Sequence, residues 1–222
     1  MSCPHGIVGT LLTLALFCCS HGPSASEAEK AWGVILSQGA TDTEVKNALA
    51  VIGTRSSTRL SAVEEDAVVA LLRNKPDWVR RQCIRVLGFG EREPSYHALI
   101  TIALSSEADD LRSESLMALD TRGIEKRGAA LLREQLLATE SVRIAAAIAG
   151  VLWRAGELDE QRIALLFEQA SVTSAALGIL DVVETYCGPD ESLLRALDRL
   201  AASGGDVGSK AKGVRRVLLS RK

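Results

Sequence analysis

The sequence predicts an all-α protein, a stack of about six helical hairpins. Three observations predict it. The chain of 222 residues is 47% hydrophobic but only 4% aromatic, so its core is built from Ala, Leu, Val and Ile. Ala and Leu lose little on entering a helix and allow helices to pack closely. Strand formers are not gathered into alternating runs, and the five prolines fall outside the apolar-periodic segments. Finally, one short pattern recurs along the chain at an almost constant interval, the signature of a repeat architecture.

Ahead of the repeats lies a targeting segment. Ile7–Cys19 is an uncharged apolar run of 13 residues, too short to span a bilayer as a helix and suited to a signal-peptide core. The small, turn-prone S-H-G-P-S-A-S follows it. The preceding M-S-C-P-H-G carries no Lys or Arg, so the positive end of this signal is minimal. Leu16-Phe17-Cys18-Cys19 resembles a bacterial lipobox. That resemblance implies that Cys19 becomes the lipidated amino terminus, with residues 20–26 as the tether. The alternative is an ordinary cleaved signal, cut near Ser20 or after P-S-A-S. Residues 1–26 are thus read as signal and linker, 27–222 as the repeat domain. The protein is expected to be exported, either periplasmic or a membrane-anchored lipoprotein.

The repeat is clearest in five segments, beginning at Pro76, Asp109, Glu140, Ser171 and Gly205. Each opens with an acidic or hydroxyl residue or a glycine, then places an apolar anchor, often followed by Arg. A small residue stands four places beyond the anchor. The anchors Val79, Leu111, Val142, Val172 and Val207 are spaced by 32, 31, 30 and 35 residues. A looser sixth copy starts at Asp42. Each copy reads as the second helix of a hairpin. In the copy from Pro76, for example, Val79, Cys83, Val86 and Leu87 share the stripe of a buried helix face. Gly88 and Gly90 then release the chain.

Taken in order, the predicted helices are 27–38 with 42–53, 61–73 with 77–88, 94–105 with 109–119, 124–138 with 140–154, 159–169 with 172–186, and 190–202 with 206–219. Capping-box pairs Ser26/Glu29, Thr41/Glu44 and Ser61/Glu64 mark three starts. Pro94 and Pro189 stand where two other helices should begin. Outside the signal only Cys83 and Cys187 remain. They lie about three units apart in a stack whose helices step by roughly 8–10 Å, too far for a bridge that needs Cα atoms within about 7 Å. Both are read as small apolar fillers.

The period and the D-x-V-R-x-x-A type of second helix resemble HEAT repeats, particularly the short class also seen in the bilin-lyase-like family. The resemblance covers residues 27–222. It implies a right-handed α-α superhelix, an ARM/HEAT-like solenoid, with second helices lining its concave side. It also implies a ladder in which Arg80, Arg112 and Arg143 pair with acids such as Asp77, Asp110 and Glu140 of neighbouring repeats. An anion-binding row is the alternative use of those arginines. The first copy is out of register and the last has Gly208 where Arg recurs, as terminal units often differ.

Arg81 and Arg85 point away from the buried stripe and should face the groove. Met117 takes the place of Arg85 in the next unit, and Trp78 precedes its anchor. These four are the candidate partner-binding residues, set against a plain solvated face and, for Trp78, against packing over the hairpin turn. Trp153 is read as filling a gap between repeats. Lys210, Lys212, Arg215, Arg216, Arg221 and Lys222 give the last helix a basic face. That face suits either an anionic surface or the outer side of a capping helix, with Val207, Ala211, Val214 and Leu218 turned inward.

The formal charge of −2 argues against nucleic acid as partner. His97 is the one histidine outside the signal, and H-E-x-x-H, C-x-x-C-H, G-x-S-x-G and a Gly-rich phosphate loop are all missing from the sequence. Neither catalytic residues nor a metal or cofactor are expected. The function expected is a non-catalytic scaffold of the cell envelope that binds another protein, tethered to the membrane through Cys19 or the basic last helix. An enzyme-like HEAT protein, related to bilin lyases or to DNA glycosylases, is the alternative if the first segment is not an export signal.

Overall fold

The computed structural model describes residues 24–37, 39–54 and 59–221, and among these it forms twelve α-helices and no strand. They are α1 (Ala25–Ile35), α2 (Asp42–Gly53), α3 (Ala62–Asn74), α4 (Asp77–Leu87), α5 (Glu93–Leu104), α6 (Asp109–Arg122), α7 (Lys126–Ala138), α8 (Val142–Arg154), α9 (Glu160–Gln169), α10 (Thr173–Tyr186), α11 (Glu191–Ala202) and α12 (Gly205–Ser220). Neighbouring helices pack in sequence order, and the chain is an all-α helical-repeat solenoid.

Local chemistry sets the boundaries. Thr41 and Ser61 cap α2 and α3 in reciprocal boxes with Glu44 and Glu64. The first box differs from the one expected: Ser24 and Glu27 form it, not Ser26 and Glu29, so α1 begins inside the stretch read as linker. Pro94 lies in the first turn of α5, where a missing N–H costs nothing. Pro189 stands one place before the cap of α11, which is Asp190. Between α11 and α12 the backbone passes through Gly204 and Gly205 at φ 75° and 62°, a conformation that disfavours any side chain.

The six even-numbered helices pack each on the next from α2 to α12 without a break. The odd-numbered row is looser and opens between α7 and α9, while α9 packs chiefly on α11. The even helices thus form the more closely packed of the two rows. One continuous core runs through the stack, with Leu49, Ile84, Leu87, Leu99, Leu116, Leu132, Ile148 and Leu152 among its fully buried side chains. Cys83 and Cys187 are buried free thiols within it, and burial pushes both up to about 12.

The structure corrects the repeat register in two units. Val142 is exposed and Val172 is the N-cap of α10, so neither is an anchor. The buried position equivalent to Val79 and Leu111 is held by Ile144 in α8 and Ala175 in α10. With Val207 half-buried in α12, the true anchors Val79, Leu111, Ile144, Ala175 and Val207 are 32, 33, 31 and 32 residues apart, a steadier period than the sequence suggested.

Candidate functional site

The joints between even helices bring most of the expected residues together. In two of these joints, counted from the anchor of each helix, the residue at place six of one helix lies against place three of the next. In the α4–α6 joint this pairs Arg85 with Glu114, through two hydrogen bonds of 3.0 and 2.5 Å. In the α10–α12 joint it pairs Asp181 with Lys210, with the signs exchanged. Arg81 lies 3.6 Å from Asp110 across the same α4–α6 joint. Asp110 in turn accepts from Arg143 of α8 at 2.7 Å, which holds its carboxyl below the usual carboxylate range. Arg154 of α8 reaches Asp120 of α6 and the Tyr186 hydroxyl of α10, so it ties three helices. The even-helix row is therefore crossed by ion pairs that link one helix to the next.

The arginine ladder departs from the expected one. Arg80 is bound mainly by Glu107 in the turn before α6, through bonds of 3.1 and 2.6 Å; Asp77, at 3.1 Å, belongs to its own helix. Arg112 is buried, donates from Nε to the Ala103 carbonyl and lies 3.7 Å from Asp109, again in its own helix. Glu140 is exposed and makes no ion pair among the described residues. Its neighbour Ser141 serves instead, capping α8 and donating to Asp109. Arg143 does join neighbouring repeats, but from the place before the anchor Ile144, which is the place of Asp110 in α6 and not that of Arg80. The physical reason is the register: Val142 looks like an anchor yet occupies the first helical turn.

Met117 is 64% exposed, and Trp78 is partly exposed beneath Lys46, whose ammonium lies 5.6 Å from its ring. Trp78 thus covers the α2–α4 joint and not a hairpin turn. Further exposed apolar residues are Val142, Tyr186 and Leu219 on even helices, and Leu36, Val63, Leu131 and Leu165 elsewhere. Tyr186 stacks on the half-buried Trp153 with ring centroids 6.5 Å apart. Trp78, Met117, Val142 and Tyr186 lie one each on α4, α6, α8 and α10.

Of the six basic residues at the C-terminus, Lys210 pairs with Asp181, Arg215 with Asp198, and Arg221 donates to the carbonyls of Glu184 and Cys187. Lys212 and Arg216 make no ion pair among the described residues, and Lys222 lies outside them. Cys19 and the whole apolar run Ile7–Cys19 also lie outside the described residues.

Glu65 is a buried carboxylate, 1% exposed, that the sequence did not single out. It accepts from the Ser95 hydroxyl and from the amides of Glu91 and Arg92, capping α5 from the neighbouring hairpin. A cleft of about 860 Å³ lies between α3 and α5. Val69, Leu72, Ala98 and Ile102 form its apolar wall, and His97 and the Arg80–Glu107 pair line it. Among the described residues no group of three or more His, Cys, Asp or Glu side chains is placed to hold a metal, and no helix is long and apolar enough to cross a membrane.

No protein-family model matches this chain, and no curated protein matches it in sequence. The class is set by the fold alone: an all-α helical-repeat solenoid whose even-numbered helices are joined by ion pairs.

Proposed function

We propose that this solenoid is an exported, non-catalytic scaffold of the cell envelope that binds another protein along its even-helix face. The observation that carries the reading is the composition of that face. Arg81, Arg85, Arg143 and Arg154 are held by carboxylates across the joints, while Trp78, Met117, Val142 and Tyr186 are exposed on the same row of helices. Exposed apolar side chains set in a rigid, locally neutral frame favour a protein partner. A nucleic acid would call for a basic stripe of unpaired cations. The likeness of the repeat to HEAT units supports the same reading, and the apolar run Ile7–Cys19 supports export, with a tether through Cys19.

Photo-crosslinking in intact cells tests it. A crosslinker at position 117 should capture a defined partner, and one at position 63 on α3, the exposed Val63, should not. Met117→Asp and Trp78→Ala should each reduce capture from position 81 about fivefold or more, as expected for interface anchors. Equal capture from positions 117 and 63, or capture indifferent to both substitutions, would sink the reading. The mass of the mature chain, read in the same preparation, decides between a lipid on Cys19 and a plain cut.

A further inference from the structure

Every internal joint of the stack has two sides, and among the described residues the first and the last hairpin each have a neighbour on one side alone. At the N-terminal end the free side is a groove of about 540 Å³ between α1 and α2. Ala31, Val34, Ala48 and Val51 form its apolar floor, and Glu27 and Glu44 stand on its rim. Both carboxylates are held below their ordinary range by the helix caps they complete, so they are ionised at neutral pH. Lys30 is the one cation among the lining residues and leaves the acids in excess. Counted from the first residue of each helix, Glu44, Ala48 and Val51 correspond to Val79, Cys83 and Val86 of α4, on the side that α4 turns back toward α2.

At the C-terminal end the equivalence runs the other way. Lys212, Gly213 and Arg216 of α12 correspond to Ile84, Arg85 and Gly88 of α4, the side that α4 turns to α6. All three are exposed in α12, and Leu219 lies on the same stripe, 37% exposed. The end that would offer a following unit is thus basic with an apolar residue beside it. The end that would receive a preceding unit is acidic around an apolar floor. At the places where Arg85 meets Glu114, the facing residues would be Gly213 and Asn47, neither of them charged.

We propose that the chain associates head to tail with a second copy of itself, α12 of one copy seating on the α1–α2 groove of the next, so that the even-helix row continues across the joint. The contact is heterologous, and repetition builds short open rows instead of a closed pair. It is independent of export and of the partner on the even-helix face.

The intact chain as isolated from the cell is followed by analytical ultracentrifugation over a range of concentrations. The mean mass should rise with concentration past that of a dimer. It should fall back as salt goes from about 0.05 to 0.5 M, because exposed charges are screened over a few ångströms at the higher value. Lys212→Glu with Arg216→Glu blocks the tail, and Val51→Arg blocks the head. Each should weaken self-association about tenfold or more, and an equimolar mixture of the two should form dimers and go no further, since each supplies the one end the other lacks. All these positions are exposed or half-buried, and circular dichroism verifies that the variants fold. A chain that stays monomeric throughout overturns the proposal. So does undiminished association of the tail variant alone, because that result belongs to a head-to-head pair.

Discussion

Gly178 sits where α10 crosses closest to α8. A β-carbon there would lie 2.5 Å from the Ala145 β-carbon and the Ala146 nitrogen, and 2.7 Å from the Ala145 carbonyl carbon. Two of those atoms are backbone and cannot step aside without moving the helix. Gly178→Ala should therefore destabilise the protein by about 1–3 kcal/mol, the usual cost of overpacking. Gly33, on the exposed side of α1, meets nothing within 4 Å, so Gly33→Ala should gain about 0.5–1 kcal/mol from helix propensity alone. Urea unfolding of both variants checks the pair of signs; a neutral Gly178→Ala would mean that the joint is looser than described. Residues of this kind divide sharply in how far the sequence reveals them. Thr41/Glu44 and Ser61/Glu64 were legible because a capping box is a local pattern. Glu65 was not, since its partners Glu91, Arg92 and Ser95 lie 26 to 30 residues away, and on paper it is one acid among Glu64, Glu65 and Asp66.

At the level of helices, the link between α4 and the turn before α6 is the Arg80–Glu107 pair. The hydrogen bonds from Arg80 hold the Glu107 carboxyl below its ordinary 4.5, although burial pulls the other way. A carboxylate whose pKa is lower folded than unfolded contributes stability above its unfolded value. That contribution fades as pH falls below about 4.5 and is gone once the folded pKa is passed. Asp110, held down by Arg143, and Asp190, held down by Ser192 and the amides of α11, act in the same direction. The melting temperature should thus fall as pH drops below about 4.5. Arg80→Gln should cost about 1–2 kcal/mol at pH 7, toward the low end for a charged hydrogen-bonded pair because Glu107 is partly open to solvent. The variant should also lose less than the parent over the acid range. A parallel acid dependence in the two proteins would show that Glu107 gains nothing from Arg80. Helix existence and order were readable from periodicity, but phase was not always. In α8 the run Ile144–Leu152 is apolar nearly all the way round, so a 3.6-residue period fits several phases and Val142 passed for an anchor. The more amphipathic α4, with Arg80, Arg81, Gln82 and Arg85 between its apolar residues, left no such freedom.

For the molecule as a whole, each unit touches mainly its neighbours, so stability is a chain of joint terms. Hairpin α1–α2 has a joint on one side alone, and its odd helix packs lightly on α3. Its amides should exchange with deuterium first, and those of α8 and α10 last. Hydrogen-exchange mass spectrometry reads this order, and uniform protection along the chain would contradict it. The sequence showed the solenoid because a repeat is a one-dimensional signal. It could not show which surface charges are spent, since Arg81, Arg85 and Lys210 find their carboxylates only once the stack is formed. The two opposite-sign joints, Arg85 with Glu114 and Asp181 with Lys210, also bear on how such a chain can change length. Loss of the α5–α6 unit would bring Arg85 against Ala147, and loss of the α9–α10 unit would bring Lys210 against Gly150, leaving a cation without its acid each time. Ancestral growth or shrinkage by whole units would therefore have required a matching substitution across the new boundary, so the order of these hairpins behaves as a set of keyed connectors and not as interchangeable beads.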